Sequence, residues 1–203
     1  MIKLVLISGS LRRGSLNSAA LRAVRRIIED MPVDVEVVSL PIGRIPFYDG
    51  DVEEAGMTAA VEAARALVAD ADALVISTPS YNGAVSGVLK NALDWLSRPY
   101  GASPLTDKAV AVLSASPGGR GAVDAQPALL TVLRTCGAFV VEHPPVAIGQ
   151  ADQRLDRHGE MTDPEILDAL RGLVGATLTA ATRPARGGGR RSPLSERLRT
   201  VSV

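Results

Sequence analysis

Residues 8–17 read Ser8-Gly9-Ser10-Leu11-Arg12-Arg13-Gly14-Ser15-Leu16-Asn17, between the apolar run 3–7 and a stretch of helical spacing. Hydroxyls, glycines and a guanidinium at a helix start suit an anion. The first backbone N–H groups of a helix are unpaired, and its dipole favours negative charge there. Ser10, Arg12, Ser15, Leu16 and Asn17 are the candidate contacts, and a charge-assisted bond from Arg12 would contribute about 1.5–3 kcal/mol. Ser15 or Asn17 also suits the plainer role of helix N-cap. The loop lacks the Gly-Lys-Ser/Thr of a nucleoside-triphosphate loop and the Gly-x-Gly-x-x-Gly of a dinucleotide fold, so a single phosphate fits better than a pyrophosphate.

Two further loops carry unusual chemistry. Pro79-Ser80-Tyr81-Asn82-Gly83 combines a rigid turn, an aromatic edge and a close backbone approach, which a planar heterocycle needs at its rim. Ser114-Ala115-Ser116-Pro117-Gly118-Gly119-Arg120-Gly121 has three glycines that let backbone lie against a ligand. Other reactive types have plainer readings. Cys136 is the only cysteine, which excludes an intrachain disulfide and a multi-cysteine metal site, and it falls on an apolar helix face as a packed thiol. His143 precedes two prolines and reads as a loop residue. His158 lies in a charged loop without a second histidine, so no metal site is expected.

The elements that must position these loops are short. Apolar runs at 3–7, 33–40, 73–77, 109–113 and 138–141 predict five strands, the last extended by 146–148 across Pro144-Pro145. Near-continuous apolarity suits strands buried on both faces. Helical spacing predicts helices at 17–30, 58–70, 86–96 and 122–136, and Thr162-Asp163-Pro164-Glu165 reads as a capping box opening a last helix. The helix at 86–96 contains Trp95, expected in the core or a subunit interface rather than on a ligand. Strand and helix alternate, which implies a doubly wound α/β sheet with right-handed crossovers and ligands beyond the carboxyl ends of its strands.

The chain of 203 residues suits one α/β domain. Its 22 basic and 22 acidic residues balance, which argues against a general nucleic-acid or membrane-surface binder. No stretch approaches the roughly 20 apolar residues that span a bilayer, and residues 1–10 are too short an apolar run for a secretion signal, so a cytoplasmic location is expected. Residues 1–182 are read as the folded domain. Residues 183–203, basic and rich in Gly and Pro, are read as a disordered tail.

Together, Gly9-Ser10-Leu11-Arg12…Ser15…Asn17, Pro79-x-Tyr81-Asn82-Gly83 and Leu89-Lys90-Asn91-Ala92-x-Asp94-Trp95 resemble the NADPH-dependent FMN reductase family over about residues 1–180. The resemblance implies a flavodoxin-like fold: a five-stranded parallel sheet of order 2-1-3-4-5 with helices on both faces. It implies bound FMN, NAD(P)H as donor, and hydride transfer to a small-molecule electron acceptor such as a quinone, free flavin, azo compound or metal oxyanion. Ser10, Arg12, Ser15 and Asn17 would hold the FMN phosphate, with Leu16 beside them. Pro79, Ser80, Tyr81, Asn82 and Gly83 would line the isoalloxazine ring, and Ser114, Gly118 and Gly119 would close its other side. No side chain is assigned as catalytic, because the cofactor carries the chemistry. Residues 46–49 resemble the segment by which a neighbouring subunit approaches the flavin, so a homodimer or homotetramer is expected. One departure stands out: the family usually carries Glu between the Pro and the Tyr, where this chain has Ser80. The alternatives are a flavodoxin-like electron carrier, normally acidic where this chain is neutral, and a non-catalytic flavin-binding module.

Overall fold

A computed structural model describes residues 1–183. The strands are β1 (Ile2–Ser8), β2 (Val35–Ser39), β3 (Ala73–Thr78), β4 (Ala109–Ala115), β5 (Phe139–Val140) and β6 (Val146–Ile148). The helices are α1 (Leu16–Glu29), α2 (Gly50–Ala55), α3 (Ala59–Asp70), α4 (Gly87–Leu96), α5 (Gln126–Thr135) and α6 (Pro164–Ala181). All strand pairings are parallel, in the order β2-β1-β3-β4-β5, and β6 pairs with β4 beyond β5. The expected fifth strand is therefore two short segments on one neighbour. Its break spans Pro144 and Pro145, which offer no N–H to a ladder.

Every residue of β3 and β4 is buried. Alternate side chains feed two cores, as the strand period of two requires. Leu4, Leu6, Val75 and Leu113 join α1 and α6 on one face. Val5, Ile7, Leu74, Ile76 and Val110 join α3, α4 and α5 on the other. Each such Leu or Ile, fully buried, contributes about 1.5–3 kcal/mol. Ser8 pairs with Ser77, and Thr78 with Ser114. This register brings the loops after β1, β3 and β4 out at one edge of the sheet, where a doubly wound fold binds its ligands.

The structure differs from the sequence reading at three helix starts. Residues 122–125 do not continue α5. Ala122 is left-handed at φ 59° and a 3-10 turn follows at Val123–Ala125. The last helix is capped by Asp163, whose carboxylate accepts from the N–H groups of Glu165 and Ile166, rather than by Thr162. Helix α2 was not expected, being short and without a buried residue. Of the expected tail at 183–203, all but Arg183 lies outside the described residues.

Candidate functional site

The loop after β1 is anchored by Gly9. Its N–H donates to the Ser77 carbonyl at 2.8 Å, and its own carbonyl accepts from the Ser86 hydroxyl at 2.6 Å. A Cβ here would stand 3.0 Å from Pro79 Cδ and 3.1 Å from both Leu89 Cδ2 and the Ser77 carbonyl oxygen. A larger residue would have to push these neighbours back by a few tenths of an ångström, so glycine lets the loop after β1 sit directly against the start of the loop after β3. Ser15 is buried and caps α1, its hydroxyl accepting from the Ser18 N–H at 3.1 Å. The N–H groups of Leu11, Arg13, Gly14, Leu16 and Asn17 form no hydrogen bond among the described residues. Arg12 is exposed, and its guanidinium has no partner among them. This is a row of uncommitted donors at a helix N-terminus, with a free cation beside it.

Asn17 behaves differently from its sequence neighbours. It is 3% exposed. Its Oδ1 accepts from the Ser77 hydroxyl at 2.8 Å and from the Ala115 N–H at 3.2 Å, and its Nδ2 donates to the Ala115 carbonyl at 3.2 Å. The side chain thus ties α1 to β3 and β4, and only its backbone N–H is left without a partner among the described residues. Ser10 is half-buried, and its hydroxyl accepts from the Arg12 N–H at 3.4 Å.

Beyond β3, Pro79 is buried against Gly9. Tyr81 and Ala84 exchange backbone hydrogen bonds at 3.0 and 3.1 Å. Between them Asn82 (φ 55°) and Gly83 (φ 76°) form a two-residue turn of the kind Asn-Gly favours. The N–H groups of Asn82 and Gly83 are unpaired among the described residues, and the Tyr81 ring is 52% exposed. The Ser80 hydroxyl donates to Asp124 Oδ2 at 2.9 Å, which joins this turn to the loop after β4.

That third loop is held from within. The Ser114 hydroxyl is fully buried; it donates to the Gly121 carbonyl at 2.6 Å and accepts from Gln126 Nε2 at 2.8 Å. Gln126 also donates to the Val146 carbonyl. Gly121, at φ 60°, packs so closely on β6 that a Cβ would stand 2.5 Å from the Ala147 carbonyl carbon. Gly118 and Gly119 are exposed, with open space beside Gly119. The structure therefore gathers Ser10, Arg12, Leu16, Pro79, Ser80, Tyr81, Asn82 and Gly83 on two touching loops, with Gly118 and Gly119 on the third, while the side chains of Ser15, Asn17 and Ser114 are spent on holding those loops. Sequence reasoning missed Asp124 and Gln126. A lone polar residue ahead of a helix gives no signal of the partner it meets.

The α4 motif residues do not face these loops' donors. Asn91 Nδ2 and Trp95 Nε1 both donate to the Pro46 carbonyl, at 2.8 and 2.9 Å, and Asn91 Oδ1 accepts from the Tyr48 N–H at 2.7 Å. Trp95 is fully buried, and Phe47 on the clamped segment is 86% exposed. The Tyr48 hydroxyl donates to Glu53 at 2.8 Å, which pushes its pKa up, with burial adding to the effect. Burial also pushes the Cys136 thiol up. Among the described residues no cluster of three or more His, Cys, Asp or Glu could hold a metal ion, and no helix is long and apolar enough to cross a membrane.

Comparison with known proteins accords with this geometry. The family model for NADPH-dependent FMN reductase matches residues 2–153. An NAD(P)H-dependent FMN reductase of Pseudomonas aeruginosa is 39% identical over 179 residues, covering 88% of this chain and 92% of that protein. A quinone reductase of Escherichia coli K12 is 39% identical over 178 residues, covering 86% and 93%. Among solved structures, a flavoenzyme NAD(P)H:(acceptor) oxidoreductase from Paracoccus denitrificans superposes with a TM-score of 0.80 at 31% identity, covering 89% of this chain and 97% of that one. The chain is an oxidoreductase and belongs to the NADPH-dependent FMN reductase family.

Proposed function

We propose that this protein passes reducing equivalents from NAD(P)H to a small acceptor, a quinone above all, with FMN held across the loops after β1, β3 and β4. FMN, when bound, supplies the two-electron chemistry between donor and acceptor. The observation that carries the proposal is the row of N–H groups at Leu11, Arg13, Gly14, Leu16 and Asn17, unpaired among the described residues, with Arg12 beside them, also without a partner there. Such a cradle suits one phosphate group, because unpaired N–H groups at a helix N-terminus favour negative charge. The residues fit the cofactor at the ring end too. The Asn82 and Gly83 N–H groups are free, and Tyr81 offers an aromatic edge. Ser10 and the backbone of residues 11–17 bind and orient the phosphate; Pro79, Ser80, Tyr81, Asn82 and Gly83 position the ring; Gly118 and Gly119 allow backbone to approach it. Ser15, Asn17 and Ser114 act one step back, by fixing those loops. The exposed Phe47 and its neighbours, held rigid by Asn91 and Trp95, suit contact with a second copy of the chain, in a homodimer or homotetramer.

The test is an anaerobic absorbance spectrum of the FMN-loaded protein before and after NADPH, then NADH. Two-electron bleaching by either donor is the expected result and identifies the donor. A bound flavin that stays yellow with both, yet reduces with dithionite, refutes the reductase reading. Arg12→Ala is expected to weaken FMN binding by about tenfold to a hundredfold, measured by fluorescence titration. Unchanged affinity removes Arg12 from the phosphate site.

A further inference from the structure

Among the described residues, the carboxylate that hydrogen-bonds to the turn at residues 80–84 is that of Asp124. Its Oδ2 accepts from the Ser80 hydroxyl at 2.9 Å and would lie 3.9 Å from a Cβ placed on Gly83. Its mounting is stiff. Ala122, Ala125 and Gln126 around it are buried, and the Ser114–Gly121 and Gln126–Val146 bonds pin the backbone on both sides. Asp124 itself is exposed, and among the described residues no Lys or Arg forms an ion pair with it, Arg120 in the same loop included. The site is thus divided by charge. Arg12 and Arg13 lie in the loop after β1, and an uncompensated carboxylate stands at the other end, against the turn.

We propose that Asp124 is a specificity-determining residue: its carboxylate, held against the Tyr81–Ala84 turn by Ser80, makes the ring end of the site favour neutral electron acceptors over anionic ones. The inference rests on the functional reading above, which puts the flavin ring against that turn. A charge fixed there acts on whatever approaches the ring. It repels an oxyanion or a metal-cyanide anion and leaves a quinone unaffected. At a separation on the order of 10 Å in a water-like dielectric, one carboxylate slows a trianion relative to a neutral molecule by about three- to tenfold at 0.01 M ionic strength. At several tenths molar, where the Debye length is about 5 Å, the effect falls below about twofold.

The experiment compares FMN-loaded wild type, Asp124→Asn and the charge-keeping Asp124→Glu, each reduced with NAD(P)H. The rate of reoxidation is read with 1,4-benzoquinone, one molecule taking both electrons with two protons, and with ferricyanide, two equivalents each taking one electron. Asp124→Asn is expected to raise the ferricyanide-to-benzoquinone rate ratio about three- to tenfold at low salt, with the gain vanishing at high salt. Asp124→Glu keeps the charge and is expected to change the ratio less than twofold. A second readout is independent of turnover: the flavin midpoint potential is expected to rise in Asp124→Asn, because a nearby negative charge disfavours added electrons. If Asp124 serves only as an acid ahead of α5, Asp124→Asn lowers the melting temperature and leaves ratio and potential unchanged, which overturns the proposal. A ratio change that ignores ionic strength overturns it as well. A wild type that binds no FMN or is not reduced by NAD(P)H sinks the functional reading and this inference with it. A wild type that turns over while Asp124→Asn keeps its ratio sinks this inference alone.

Discussion

Replacing Asn17 by Ala separates two accounts of the same residue. Its place in the loop after β1 suggests a phosphate ligand; its hydrogen bonds make it a tie between α1, β3 and β4. The substitution removes three bonds, to the Ser77 hydroxyl, the Ala115 N–H and the Ala115 carbonyl, in a position 3% exposed. At about 1 kcal/mol per bond, with a buried backbone N–H left unsatisfied and a small gain in helix propensity, the cost is about 2–4 kcal/mol. For a domain of this size that lowers the melting temperature by about 5–15 °C. The assay is urea unfolding of the apoprotein, where no cofactor can contribute. A shifted midpoint at unchanged slope is the expected outcome. Asn17→Asp should be worse, because a carboxylate oxygen would face the Ala115 carbonyl in place of the amide donor. Apo stability within about 0.5 kcal/mol of wild type, together with a tenfold loss of FMN affinity, would refute the reasoning and return Asn17 to the phosphate.

Two other substitutions test the frame around the site. Gly121→Ala places a Cβ 2.5 Å from β6 backbone at φ 60°, so about 2–4 kcal/mol of stability should be lost, read by chemical unfolding; a neutral outcome would mean that the loop after β4 has room to move. Asp163 has its carboxyl held below the usual range, first by the Ile166 N–H and also by Arg154. A depressed folded-state pKa means its contribution is present above the unfolded value near 4 and fades as pH falls through the folded value. Asp163→Ala should therefore lower the melting temperature at pH 7, with the gap to wild type closing below about pH 4; a gap that persists at pH 2 would show the cap acting without its charge.

The sheet was readable because parallel strands buried on both faces must be apolar throughout, so β1, β3 and β4 stand out as runs with turn residues at their ends. The positions of the loops were readable for a related reason: glycines, prolines and hydroxyls directly after such runs end a strand. What composition cannot convey is which polar atom each side chain spends itself on. Ser15, Asn17 and Ser114 have the right types and the right loops for a ligand. Yet Ser15 caps a helix, and the other two are consumed by Ser77, Ala115, Gly121 and Gln126. Ser114 meets Gly121 and Gln126 through the path of the loop after β4, whereas Asn17 meets Ser77 and Ala115 only through strand order and register. The same holds for Ser80 and Asp124, 44 residues apart. Read by itself, Ser80 is the loss of a carboxylate from the loop after β3. In the folded chain a carboxylate reaches that loop from the next one over, so the charge beside the Tyr81–Ala84 turn is a property of the pair of loops and belongs to neither sequence segment alone.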